Sequence, residues 1–156
     1  MTDEFNSAFG DAFDTVASPP VTPPPVPPGG QQPPALVLAL ALHDRLSPLV
    51  QGRVHPQILP ERPVYPCIRY ANVGGGPDNT ICGRSSLNIW RFRIDVFAET
   101  MTDTLLLRDL VTEAMDGFVY PCLQVMDMDG YEPEVRVFRR MIDYSIHQNE
   151  AALPPL

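Results

Sequence analysis

The stretch Leu87-Asn88-Ile89-Trp90-Arg91-Phe92-Arg93-Ile94-Asp95-Val96-Phe97-Ala98 decides the fold. From Trp90 onward the apolar residues Trp90, Phe92, Ile94, Val96 and Ala98 alternate with Arg91, Arg93 and Asp95. Successive side chains of a strand point to opposite faces, so this is a strand with one buried and one charged face. Leu87 and Ile89 have the opposite parity, which predicts a bulge or the start of the strand near them. The period then changes. Thr100 or Thr102 can cap a helix whose first turn carries Asp103, where the helix dipole favours an acid. Leu107, Leu110, Val111, Ala114 and Phe118 follow at helical spacing, and Asp116-Gly117 supplies the stop. A strand running into an amphipathic helix implies a sheet with that helix on its apolar face.

Downstream, Leu123, Val125 and the neighbouring methionines predict another strand. Residues 127–134 read as a turn with Asp129-Gly130 at its tightest point. The acids Asp127, Asp129, Glu132 and Glu134 lack the ligand spacing and flanking helices of a calcium loop. Residues 135–146 read as the last long strand, with Phe138, Ile142, Tyr144 and Ile146 on one face and Arg140 interrupting it. Upstream, Ala35 to Leu46 predicts a helix ended by Ser47-Pro48. It is apolar on nearly every side for two turns, so it is either deeply buried or shared with another subunit. A short extended piece follows Gly52. The segment from Val64 to Tyr70 contains a proline, which places it at a sheet edge. Residues 71–80 read as a flexible loop; their glycines precede no Gly-Lys-Ser/Thr and open no helix, so they form no phosphate loop. The sum is an α+β domain: an antiparallel sheet of about four to five strands with two helices packed on one side.

Residues 1–34 stand apart from that domain. Phe5, Ala8, Phe9, Ala12, Phe13 and Val16 make an amphipathic stripe, flanked by Asp3, Glu4, Asp11 and Asp14 with no basic residue. So short a helix is marginal alone and requires a hydrophobic groove. Residues 18–34 are dense in proline and favour an extended polyproline II spacer of about 3.1 Å per residue. A sticky helix on such a tether is the layout of a docking arm, with Phe5, Phe9, Phe13 and Val16 as the docking residues. The expected partition is therefore an arm over 1–17, a linker over 18–34, a domain over 35–149 and a frayed tail over 150–156.

The chain has a formal net charge of −8 and a sequence pI near 4.7. That balance argues against a surface for duplex nucleic acid, which needs clustered Lys and Arg to neutralise phosphates. Every basic residue is Arg; there is no Lys. Cys67, Cys82 and Cys122 show neither zinc-site spacing nor a disulfide framework and read as small apolar residues in or near the sheet. No basic segment followed by an apolar run marks a secretory signal. The longest apolar run, Ala35 to Leu42, is far below the ~20 residues of a membrane span, so a soluble protein made in the cytoplasm is expected. His43, His55 and His147 have no spacing relation to one another or to a cysteine. There is no nucleophile elbow, His-Glu-x-x-His, dinucleotide fingerprint or Cys–His pairing, and the carboxylates fall in turns and on polar faces. No catalytic residue, cofactor or metal is expected.

With these residues in hand, the region from about Ala35 to Asn149 resembles the tail-completion, or tail-terminator, proteins of long-tailed bacteriophages. The resemblance is carried by the order of several segments. An N-terminal helix is followed by Gly52-Arg53-Val54-His55-Pro56 and by Arg62-Pro63-Val64-Tyr65-Pro66-Cys67-Ile68. A strand ending Ile94-Asp95-Val96-Phe97-Ala98 precedes a helix, and Phe138-Arg139-Arg140-Met141-Ile142-Asp143-Tyr144 forms a final strand. The resemblance implies a structural, non-enzymatic virion protein of the tail and neck. It would form a ring of identical subunits, a homohexamer in the family, that caps the tail tube, ends its polymerisation and joins a head-closure or adaptor protein. DNA would pass through the lumen without specific binding, for which an acidic chain is suited. The N-terminal arm departs from the family's compact form.

Rings of identical copies need heterologous contacts. The expected contact residues are Leu36 and Leu40 on the apolar helix, with Asn72, Gly75 and Asp78 in the loop 71–86 and Asp129 and Tyr131 in the loop 127–134. Two other readings compete. One is a head-closure or adaptor protein of the neck. The other is a cytoplasmic binding module that recruits a partner through its N-terminal arm.

Overall fold

A computed structural model describes residues 33–83 and 85–149. The elements are α1 (Pro34–Leu46), a 3-10 turn (Ser47–Val50), β1 (Val54–Pro56), β2 (Cys67–Pro77), β3 (Leu87–Ala98), α2 (Met101–Asp116), β4 (Cys122–Glu132) and β5 (Val137–Asn149). The five strands form one sheet in the order β1-β2-β3-β5-β4. All neighbouring pairs are antiparallel except β1 and β2, which run parallel and are joined through residues 57–66. The class is α+β, as the sequence predicts. The arm residues Phe5, Phe9, Phe13 and Val16, the linker up to residue 32 and the tail 150–156 lie outside the described residues.

The alternation read in β3 sets the layering. Phe92, Ile94 and Val96 are buried on one face with Ile142, Tyr144 and Ile146 of β5 and Ile68 and Tyr70 of β2. Leu38, Leu42 and Leu46 of α1 and Leu107, Val111 and Met115 of α2 close over them. Among the described residues both helices lie on this face. Thr100 caps α2 as expected: its hydroxyl accepts from the Asp103 amide at 3.1 Å, and the helix ends at Asp116 before Gly117. The stripe that enters the core is Thr104, Leu107, Val111 and Met115. Leu110, expected inside, is 45% exposed, because it is one position off that stripe.

β3 starts at Leu87, the strand entry expected near Leu87 and Ile89, and the nearest register shift lies across from it in β2, between Asn72 and Gly74. Two further expectations are corrected. The segment before Tyr70 is not an edge: β2 lies between β1 and β3, and its proline does no harm because Pro66, cis to Tyr65, precedes the first ladder residue. The loops expected at 71–86 and 127–134 are shorter than predicted. β2 runs on to Pro77 and β4 to Glu132, and the hairpin turn falls at residues 133–136, with Arg136 at φ 55°. Asp129 and Gly130, read as the turn, pair with Arg140 and Arg139 inside the ladder.

Candidate assembly surfaces

The charged parity of β3 builds the sheet face away from the helices. Residues directly opposite in a ladder share a face, so Arg91, Arg93 and Asp95 of β3 stand beside Ser145, Asp143 and Met141 of β5. Asp95 is wholly buried, contrary to the solvated role expected of the carboxylates. Arg69 donates to its Oδ2 through Nε and Nη2 at 3.0 and 2.6 Å, and Arg139 donates to Oδ1 through Nε and Nη2 at 3.1 and 2.9 Å. Arg139 also donates to Glu132 at 2.8 Å. Both guanidiniums lie over the Phe97 ring, at 5.8 and 5.6 Å from its centroid. Phe97, Cys67 and Val137 form a second small core under Leu59 and Tyr65, which seals this end of the face.

Asp143, also buried, is forked by Arg93 at 2.7 and 3.1 Å. That hydrogen bond holds the Arg93 guanidinium above its ordinary pKa, against the effect of burial. Arg91, with its side chain 49% exposed, reaches Asp143 only at 3.6 Å. Opposite Arg91 and Ile89, β2 offers Gly74 and Gly76, so no side chain flanks them on that side. Across the face, Met126 and Met128 of β4 stand opposite Asp143 and Met141, and Leu123 stands opposite Ser145.

On the helix side, Asp127 of β4 accepts from Arg108 of α2 at 2.9 and 2.6 Å and from Arg140 of β5. Burial pushes the Asp127 carboxyl up, but hydrogen bonds and charge from Arg140 and Arg108 outweigh it and leave the group below the ordinary carboxylate range. Asp129, 65% exposed in its side chain, is a second acceptor for Arg140. This network fastens α2 and the two outermost strands together.

β4 forms one edge of the sheet. It is 11 residues long with neither Pro nor Lys, and its carboxylates are neutralised from within, so the usual devices that blunt an edge are few. The Gln124/Met126 irregularity is one that remains. Leu123, Val125, Met128 and Tyr131 are exposed along it. A cavity of about 250 Å³ lies where Tyr131, Asp129 and Phe138 meet Met101, Thr104 and Leu105 of α2. On the opposite flank α1 packs over β1 and β2, and its Leu36 and Leu40 are 44% and 49% exposed.

The residues expected to make contacts therefore separate. Leu36 and Leu40 are solvent-facing on α1, and Asp129 and Tyr131 stand together on the β4 edge. Asn72 turns inward on its own strand, its Oδ1 accepting from the Gly74 amide at 2.9 Å. Gly75 is pressed against Trp90. Asp78 is exposed just past β2, its amide bonded to the Leu87 carbonyl at 2.8 Å. Sequence reasoning missed the Arg–Asp face and the β4 edge. The signal for the first was present in the strand-parity pairing of Arg93 and Asp95 with Asp143 and Arg139.

The cysteines are free thiols. Burial pushes Cys67 up to about 11 against the opposing charge of Arg53, and Cys122 is raised by burial while its Sγ donates to the Met115 carbonyl. Cys82 is exposed in the loop after β2 rather than near the sheet. Among the described residues no three His, Cys, Asp or Glu side chains converge to hold a metal, and no helix is long and apolar enough to cross a membrane.

Comparison with known proteins gives matches of two kinds. Residues 34–148 match the family described as tail completion protein gp17. No curated protein matches the chain. Among solved structures, a chain from the virion of a native gene transfer agent particle superposes with a TM-score of 0.55 at 12% identity, covering 70% of this chain and 92% of that one. At that identity the likeness is one of fold.

Proposed function

The chain belongs to the tail completion protein gp17 family and is a structural component of a phage tail, and from that premise we propose that it forms a ring of identical copies, a hexamer as the family resemblance implies, that caps the tail tube and ends its polymerisation. The ring would join the tail to the head-closure or adaptor protein, with DNA passing through its lumen. The observation that supports this reading is the placement of two unlike apolar surfaces on opposite flanks of one subunit. The β4 edge with Leu123, Val125 and Tyr131 lies at one end of the sheet, and the Leu36 and Leu40 ridge of α1 covers the other. A contact between unlike surfaces is heterologous, and it closes into a ring when the rotation between copies allows. Asp78 and the exposed end of β2 would face an axial neighbour.

Native mass spectrometry of the full-length protein, together with imaging of the particle neck, tests the proposal. A closed oligomer at the head-proximal end of the tail tube is expected. A monomer at all concentrations and absence from purified particles would favour a binding module instead. Contact with the head connector and none with the tube would identify a head-closure protein.

A further inference from the structure

We propose that the open sheet face around Arg91 is the seat of the N-terminal segment, residues 3–16, of a neighbouring copy. This deepens the ring reading and rests on it: the segment would clasp adjacent subunits. Three observations converge. The face carries four guanidiniums, Arg69, Arg91, Arg93 and Arg139, against three carboxylates, Asp95, Asp143 and Glu132. Arg93 already holds both oxygens of Asp143, so Arg91 is exposed and under-compensated. In a chain of net charge −8 this is a local surplus of positive charge. The first 44 residues contain no Lys or Arg, while the stripe of Phe5, Phe9 and Phe13 is flanked by Asp3, Glu4, Asp11 and Asp14. Charge of opposite sign on the two partners steers encounter and fixes register.

The apolar half of the match is Ile89, Met126, Met128 and Met141, which share the face with Arg91 by ladder register. Methionine is unbranched and polarizable and adapts to the aromatic side chains it receives. Gly74 and Gly76 leave the β2 side of Arg91 low, which makes room for a helix to lie across the strands. The cavity beside Tyr131 is the poorer seat for this segment. Asp129 and Arg139 both stand in its wall with their charges already paired, to Arg140 and to Asp95 and Glu132, so it offers an acidic segment no surplus of positive charge.

Reach favours a neighbour over the same copy. By its composition, a polyproline II spacer over residues 18–33 would span roughly 50 Å at about 3.1 Å per residue. A domain of this size has a radius of gyration near 13 Å and so a diameter of roughly 35 Å. A semi-rigid tether longer than the body would deliver its end to the next body.

The test uses the full-length protein with p-benzoylphenylalanine in place of Phe9, prepared in light and ¹⁵N-labelled forms that are mixed, irradiated and digested. Mixed-isotope cross-links to peptides containing Ile89, Met126, Met128 or Met141 are expected. Arg91→Glu should lower their yield at least five-fold while the domain stays folded, and Asp11→Arg with Asp14→Arg in the same chain should restore it. Products confined to one isotope, products on α2 or the Tyr131 cavity, or no products would overturn the proposal. So would loss of the products on adding a DNA oligonucleotide, which would assign the face to phosphates. Native mass spectrometry of the same samples separates the two readings: an intact oligomer without these products sinks the docking alone, and a monomer throughout sinks the ring.

Discussion

Arg93 on β3 holds both carboxylate oxygens of Asp143, its direct neighbour across the ladder on β5, at 2.7 and 3.1 Å. Arg69, Arg139 and Arg108 use the same two nitrogens differently, each directing Nε and Nη2 at a single carboxylate oxygen: Oδ2 and Oδ1 of Asp95 for the first two, Oδ2 of Asp127 for the third. A planar guanidinium presents two parallel donors to a carboxylate, which an ammonium cannot do. Arg in place of Lys has a structural use at these positions, whatever its origin elsewhere in the chain.

Removing the charge at the centre of the larger cluster should be severe. Asp95→Asn leaves two partly buried guanidiniums without their counter-charge, and a loss of ~3–5 kcal/mol is expected. Urea unfolding of the full-length protein measures it. Asp129→Asn, at an exposed pair, should cost less than about 1 kcal/mol in the same assay.

Stability should fall in acid, and Asp127 should contribute to the fall. Its folded pKa lies below the unfolded value near 3.9. The stabilisation is therefore fully present above the unfolded value and is lost as pH drops through the folded one. Melting temperature followed from pH 7 down to pH 2 should decline below about pH 4. Asp127→Asn should lower it at neutral pH and make the acid decline shallower; an unchanged acid limb would contradict the assignment.

Gly75 should not tolerate a side chain. A Cβ there would lie 2.6 Å from Trp90 Cα and closer still to the Ile89 carbonyl oxygen, both backbone atoms, and φ is 130°. Gly75→Ala should destabilise by ~1–3 kcal/mol. Gly76→Ala, whose Cβ meets open space, should fall within about 0.5 kcal/mol of the parent. Differential scanning calorimetry of the pair separates the close approach of strands from a general glycine effect.

Loss of the α2 cap should show a smaller, local effect. Thr100→Ala removes the acceptor for the Asp103 amide and should cost about 1 kcal/mol. Thr102→Ala, beyond the cap, should be near neutral. Amide exchange in the first turn of α2 should rise in the former variant only.

What could be read in one dimension was what local chemistry determines. The alternation of Trp90 to Ala98, the threonine cap and the Asp116 stop depend on neighbours within a few residues, and each stands where the spacing puts it. The extension of β2 through Gly74, Gly75 and Gly76 was hidden, because those glycines serve close strand approach and not a turn. β4 was hidden in part by Asp127 and Asp129, whose charge suggested solvent while Arg108 and Arg140 wait on other elements to neutralise it. Burial of Asp95 and Asp143 likewise depends on partners 26 to 50 residues away. The family was legible from segment order, and the exposure of Leu36 and Leu40 from a helix with more apolar surface than one core can cover.

The strand order has a consequence for how a subunit is made. β5, the last strand among the described residues, is inserted between β3 and β4 and closes the sheet only when residues up to Asn149 exist. On the ribosome, at about 5–20 residues per second, β3 must wait for its partner for several seconds with a long hydrogen-bonding edge uncovered. Nascent chains are thus most vulnerable to chaperone capture or mispairing until β5 has emerged, and stop codons upstream of β5 should yield insoluble fragments rather than shortened, folded subunits.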